Sequence, residues 1–122
     1  MILHDFYRIT QESATAQQRT TEIEINKDHE IYNGHFPGRP VTPGVVLMQL
    51  FKEEVERHFQ KQLQLVRAEN VKFMAVCNPS EDAKVILESE IEETGEFIKL
   101  KGHAKNGKGN VLKISSLYRI LS

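Results

Sequence analysis

Asn33-Gly34-His35-Phe36-Pro37-Gly38-Arg39-Pro40-Val41-Thr42-Pro43-Gly44 packs three glycines and three prolines into twelve residues, and the period of the chain changes at its end. No regular helix or paired central strand can run through such a stretch, so it is a shaped loop. From Pro43 onward Leu47, Phe51, Val55 and Phe59 recur every four residues, with Leu50 beside them and Lys52, Glu53, Glu56 and Arg57 elsewhere. That is the signature of one long amphipathic helix. Thr42 is the expected N-cap, Pro43 suits the first helical position, and the helix is expected to end between Gln60 and Gln64.

On either side of this unit the apolar residues alternate. Thr21, Ile23 and Ile25 oppose Glu22, Glu24 and Asn26, and Phe6 to Thr10 is a candidate first strand. Beyond the helix, Leu65 to Met74 reads as a mixed strand, and Ala83, Val85, Leu87, Ser89 and Ile91 share one face of the next. Glu93-Thr94-Gly95-Glu96 is a turn, Phe97 to Lys105 alternates again, Asn106-Gly107-Lys108-Gly109 is a hairpin signal, and Val111 to Leu121 is the last strand. The expected class is α+β, with one helix laid against an antiparallel sheet.

A chain of 122 residues predicts one domain, residues 1–122. Sixteen basic against seventeen acidic residues give no field that would draw it to nucleic acid or an anionic membrane. Its apolar runs fall far short of a membrane span. One cysteine, Cys77, excludes an intrachain disulfide, and with no signal-peptide pattern a cytoplasmic setting is expected.

Gly34 to Gly44 offers a histidine on a proline-stiffened loop that leads into a helix N-terminus. A thioester carbonyl oxygen gains negative charge when a neighbouring carbon loses a proton, and the unpartnered N–H of Gly44 suits that oxygen. His35, titrating near neutrality, suits the proton. His4, His29, His58 and His103 match no metal-ligand spacing and are read as surface or structural, and no metal is expected. Cys77 is read as ordinary packing.

Gly34-His35-Phe36-Pro37-Gly38-Arg39-Pro40-Val41-Thr42-Pro43-Gly44-Val45-Val46-Leu47 closely resembles the active-site segment of the FabZ-type 3-hydroxyacyl-(acyl carrier protein) dehydratases. Val71-Lys72-Phe73 with Asn78-Pro79 resembles the family's Lys-Phe strand and the loop after it, although Pro79-Ser80-Glu81 stands where the family has Pro-Gly-Asp. The resemblance runs from about residue 20 to residue 120, and the family's leading Pro-His-Arg-x-Pro-Phe segment is absent.

What the resemblance implies is a hotdog fold, a long central helix wrapped by a curved antiparallel sheet, with subunits paired and the acyl chain in a tunnel at their interface. It implies removal of water from a 3-hydroxyacyl thioester to give the trans-2-enoyl thioester, in fatty acid or related acyl-chain biosynthesis, with no cofactor. The family's catalytic histidine falls on His35 and its thioester-polarising amide on Gly44. Phe36, Pro43 and Val45 become candidate substrate contacts. The implied partner is an acyl carrier protein bearing a phosphopantetheine-linked acyl chain, and the implied assembly is a homodimer or higher oligomer. Arg39, Lys72, Lys99, Lys101, Lys105 and Lys108 read either as a solubilising surface or, in a few cases, as contacts to the acidic carrier protein or its phosphate.

The family's second catalytic group, a helix carboxylate given by the other subunit, falls on Gln49. A glutamine holds a hydroxyl by hydrogen bonds but cannot exchange a proton near neutral pH. Either His35 returns the proton it took, with Gln49 orienting the leaving group, or Glu53, one turn on, supplies the carboxylate. Glu53, flanked by Lys52 and Glu54, is expected to face solvent. A partner-dependent or non-catalytic thioester-binding subunit, completed by a heterodimer partner, is the competing reading, and a thioesterase the third.

Overall fold

The computed structural model describes residues 5–33 and 41–121. Six strands and one α-helix follow the order β1 (Tyr7–Ala14), β2 (Gln18–Ile25), α1 (Gly44–Phe59), β3 (Leu63–Phe73), β4 (Lys84–Thr94), β5 (Phe97–Asn106) and β6 (Gly109–Ile120), with a 3-10 turn at Glu30–Tyr32. The strands form one sheet in the order β1-β2-β4-β5-β6-β3, every neighbour antiparallel. Register shifts in β1, in β3 and between β5 and β6 mark bulges, which bend and twist a sheet locally.

The alternation read from the sequence sets the faces. Thr21, Ile23 and Ile25 of β2, Val85, Leu87, Ser89 and Ile91 of β4, and Ile98, Leu100 and Ala104 of β5 are buried. Val46, Leu47, Leu50, Phe51 and Val55 of α1 are buried too and share one apolar cluster with those strands. Gly102 of β5 leaves a notch for the helix, because a Cβ there would lie 2.7 Å from the Phe51 ring.

The hairpin turns fall where the glycines are. Gly95 between β4 and β5 has φ 63° and Gly109 at the start of β6 has φ 124°, both in the region glycine tolerates. The helix ends on Gln60 in the left-handed conformation, φ 53°, with its N–H donating to Glu56 O. At the other end the helix begins one residue later than expected: Pro43 is the N-cap, with no side-chain cap, and Gly44 the first helical residue. Thr42 cannot cap it, because its hydroxyl meets the Tyr32 hydroxyl at 2.8 Å and its N–H donates to Cys77 O. No helix among the described residues is long and apolar enough to cross a membrane.

Candidate active site

The first turn of α1 is built by backbone and sterics. Pro43 O accepts from both Val46 N, at 3.0 Å, and Leu47 N, at 3.3 Å, so the amides of Gly44 and Val45 lie outside the helix's own ladder. Gly44 is required by its neighbour: a Cβ would fall 2.6 Å from Cζ of Phe73, whose ring, at the end of β3, lies against the start of the helix. Beneath, the Tyr32 and Thr42 hydroxyls pair in a buried position, and burial pushes the Tyr32 phenol up to about 12. Cys77 is buried beside them, its thiol also pushed up by burial. His35 and Phe36, the expected base and one expected substrate contact, lie outside the described residues.

Along the outer face of α1 runs an apolar trough. Val45, Met48, Gln49 and Lys52 of the helix face Leu65 of β3 and Tyr118 of β6 across a cavity of about 240 Å³. Val45 is 70% exposed and Leu65 41%. A second depression continues from Gln49 and Lys52 past Glu53 and Arg57 to Leu63 and Leu121. Among the described residues β3 pairs only with β6, leaving its other edge open there, and Val66 and Phe73 on it are exposed as well. Of the expected site residues the structure therefore sets Val45 and Gln49 along one side of one trough, while Pro43 and Gly44 stand just before Val45 at the start of the helix and do not line it.

Around Gln49 the site is held by charge, in a way the sequence reading missed. Gln49 Nε2 donates to Glu53 Oε2 at 3.1 Å, and the Tyr7 hydroxyl donates to Glu53 Oε1 at 2.9 Å. Arg57 Nη1 in turn donates to the Tyr7 oxygen at 2.7 Å, with its guanidinium 5.7 Å from the Tyr7 ring centre. Burial raises the Tyr7 phenol to about 12, so it remains a donor. Glu53 is thus not the solvated side chain expected of it.

Its neighbour Glu54 is wholly buried. Its Oε1 lies 2.5 Å from Arg57 Nη2 and 3.5 Å from Arg19 Nε, and Arg19 pairs onward with Glu12 at 2.5 Å. A buried carboxylate needs such compensation. A signal for this was present, because residue 54 falls on the Leu47–Leu50–Phe51 face of the helical repeat and Arg19 shares the inward parity of Thr21, Ile23 and Ile25.

The remaining polar candidates lie away from the trough. Lys105 bonds Glu88 at 2.7 Å and Lys108 bonds Glu81 at 2.5 Å, both at the surface. His29 caps the 3-10 turn through Nδ1, His58 meets Ala16 O at 3.1 Å, and His103 lies 3.6 Å from Glu88. His4 lies outside the described residues.

A family model described as ApeI-like, the ApeI dehydratase, matches residues 11–110. The 3-hydroxyacyl-(acyl-carrier-protein) dehydratase FabZ of Clostridium acetobutylicum is 29% identical over 108 residues, 75% of this chain and 71% of that one. The FabZ of Lactobacillus helveticus is 30% identical over 95 residues, 70% of this chain and 61% of that one. Among solved structures, the dehydratase heterocomplex ApeI:P from Xenorhabdus doucetiae is similar with a TM-score of 0.79 and 14% identity, covering 92% of this chain and 96% of that chain. A hypothetical thioesterase protein with coenzyme A from Streptococcus pneumoniae reaches 0.69 at 10% identity, covering 95% and 86%. These structures agree on the fold, a hotdog of one helix against a six-stranded antiparallel sheet.

Proposed function

The chain belongs to the ApeI-like dehydratase family, and on that premise we propose how its site removes water from a 3-hydroxyacyl thioester carried on acyl carrier protein. His35 takes a proton from C2. The electrons move onto the thioester carbonyl oxygen, which the Gly44 N–H stabilises as negative charge develops. As the C2–C3 double bond forms and the C3–O bond breaks, the imidazolium of His35 returns its proton to the departing hydroxyl, releasing water and the trans-2-enoyl thioester. Gln49 holds that hydroxyl. Pro43 and Val45 flank the reacting end, and Phe36 is the further expected contact.

The observation that carries this reading is the glycine amide at the first position of α1, immediately before Val45, which with Gln49 lines an apolar trough. Glu53 is disfavoured as the acid, because both its oxygens already accept hydrogen bonds, from Tyr7 and Gln49. The proton therefore comes from His35. A second subunit laid along the open β3 edge covers Leu65, Val66 and Val45 and closes the trough into an acyl-chain tunnel. The buried Cys77 thiol is in keeping with a reducing cytoplasmic setting.

The test is a dehydration assay on a 3-hydroxyacyl carrier protein with wild type, His35→Ala and Gln49→Glu. Wild type gives enoyl product and His35→Ala none. Full activity in His35→Ala defeats the mechanism. Gln49→Glu sets two carboxyl groups against each other, so that one keeps its proton to higher pH. Its activity is highest on the acid side and falls as the pair deprotonates.

A second reading has its own support. One similar solved structure is a heterocomplex, and by the spacing from His35 the resemblance sets Gln49 at the position of the family's carboxylate. In that reading the chain binds the thioester and a different hotdog subunit supplies the acid. Pure protein that forms homodimers by size exclusion and turns over unaided eliminates it.

A further inference from the structure

We infer that the outer face of the sheet is a docking surface for a second copy of this chain, held by an acidic row on β4 and a basic row on β5 that complement each other under a two-fold axis. The inference goes beyond the dehydratase reading and does not depend on it.

The rows are made by strand parity. Val85, Leu87, Ser89 and Ile91 are the buried side of β4, so Glu88, Glu90 and Glu92 take the outer side. Ile98, Leu100 and Ala104 do the same for β5, leaving Lys99, Lys101 and His103 outside. The register sets the two rows side by side, Glu88 with His103, Glu90 with Lys101 and Glu92 with Lys99. Glu88 is engaged within the chain, by Lys105 at 2.7 Å and His103 at 3.6 Å. Glu90, Glu92, Lys99 and Lys101 are exposed, and none of the ion pairs among the described residues uses them. Two depressions of about 380 and 470 Å³ groove the same face, and Glu90 and Lys101 line both, so room for incoming side chains lies on either side of that pair.

Rows of opposite sign on adjacent strands have a geometric consequence. A two-fold axis running along the strands between β4 and β5, midway between two stacked sheets, lays β4 of each copy over β5 of the other and keeps every residue at its own height. Glu90 then meets Lys101 of the second copy and Glu92 meets its Lys99, and each contact occurs twice, as an isologous interface requires. One strand further out β2 falls over β6, with Gln18 opposite Ser115 and Thr20 opposite Lys113, so no like charges collide there. Aligned sheets stack face to face in this manner. Strands β2, β4, β5 and β6 present roughly 600 Å² to such a neighbour, near the per-partner size of a standard interface. An acidic partner would be drawn by β5 and repelled by β4, whereas a second copy satisfies both rows.

The experiment measures the mass of the full chain by light scattering at about 50 mM and about 1 M salt. It compares wild type with Glu90→Lys plus Glu92→Lys, which makes the face basic, and with Lys99→Glu plus Lys101→Glu, which makes it acidic. Wild type at low salt has twice the mass of either variant and falls to theirs at high salt. Mixed in equal amounts, the two variants recover the wild-type mass, because a basic face then meets an acidic one; a merely local effect on folding would not produce that recovery. If a reversed face does not fold, Lys101→Gln, a neutral change at an exposed position, decides by weakening association about tenfold. Equal masses for wild type and variants at low salt, variants that stay apart on mixing, or Lys101→Gln that associates like wild type each overturn the proposal. Equal masses with loss of carrier-protein binding in Lys99→Glu plus Lys101→Glu also overturn it and assign the basic row to that partner. Dehydration by the wild type bears on the reading above alone.

Discussion

The two halves of helix α1 build their parts of the site by opposite means. At Gly44 the work is done by shape: a proline N-cap, a glycine that the Phe73 ring forbids from carrying a Cβ, and a hydroxyl pair beneath. From Gln49 to Arg57 it is done by charge, with Glu53 and Glu54 tied to Tyr7, Arg57 and Arg19 from distant strands. A backbone amide needs only its position fixed to serve an oxyanion, whereas a side-chain amide must also have its sense fixed.

Removing the buried charge attacks this contrast most strongly. Glu54→Ala leaves Arg57 and Arg19 without their shared carboxylate and should cost about 3–5 kcal/mol, read as a lowered urea midpoint. A loss under about 1 kcal/mol would mean that the charged half is no more deeply built than an ordinary surface pair.

Gly44→Ala probes the other half. The new methyl collides with the Phe73 ring and displaces either ring or helix start, for about 1–3 kcal/mol and about a hundredfold in kcat/KM. Adding Phe73→Ala removes the clash and should restore stability more than activity, as measured by melting and turnover of the double variant. Full activity in Gly44→Ala would leave shape without a role there.

A smaller effect compares the halves through their tyrosines. Tyr7 beside Glu53 and Tyr32 beside Thr42 are both raised by burial from 10 to about 12, as is Tyr118 in the trough. A folded-state value above the unfolded one means that stability is full below pH 10 and falls as pH rises toward 12, where only the unfolded chain readily gives up these protons. Urea midpoints should therefore decline across that window, and each Tyr→Phe should flatten the decline. Tyr32→Phe at neutral pH should cost only about 0.5–1.5 kcal/mol, the worth of one hydroxyl pair.

The same division governs what could be read from the chain. β2, β4, β5 and β6, the helix and both hairpin turns followed from alternation, four-residue recurrence and the glycines, because these are local signals. The resemblance carried by Gly34 to Leu47 led to the family the chain belongs to. Thr42 was misjudged as a cap because its competitor, Tyr32, pairs with it only in three dimensions. Glu53 and Glu54 looked alike inside Lys52-Glu53-Glu54, and only the helical phase separates them: one lines the second depression, the other is buried beneath the helix. Tyr7 carried no signal at all, since nothing local in β1 says that its ring reaches a residue 46 positions on.

The notch at Gly102 has a further consequence. Phe51 sits in it like a tooth in a rack, and a tooth so seated stops sliding as well as separation. Gln49 and Glu53 are two residues either side of Phe51, so the gearing of one ring into one missing methyl sets how far along the sheet they stand from Leu65 and Tyr118. Enlarging residue 102 should ratchet the helix and move the reacting end relative to the trough, changing which acyl lengths fit without altering any residue that touches them.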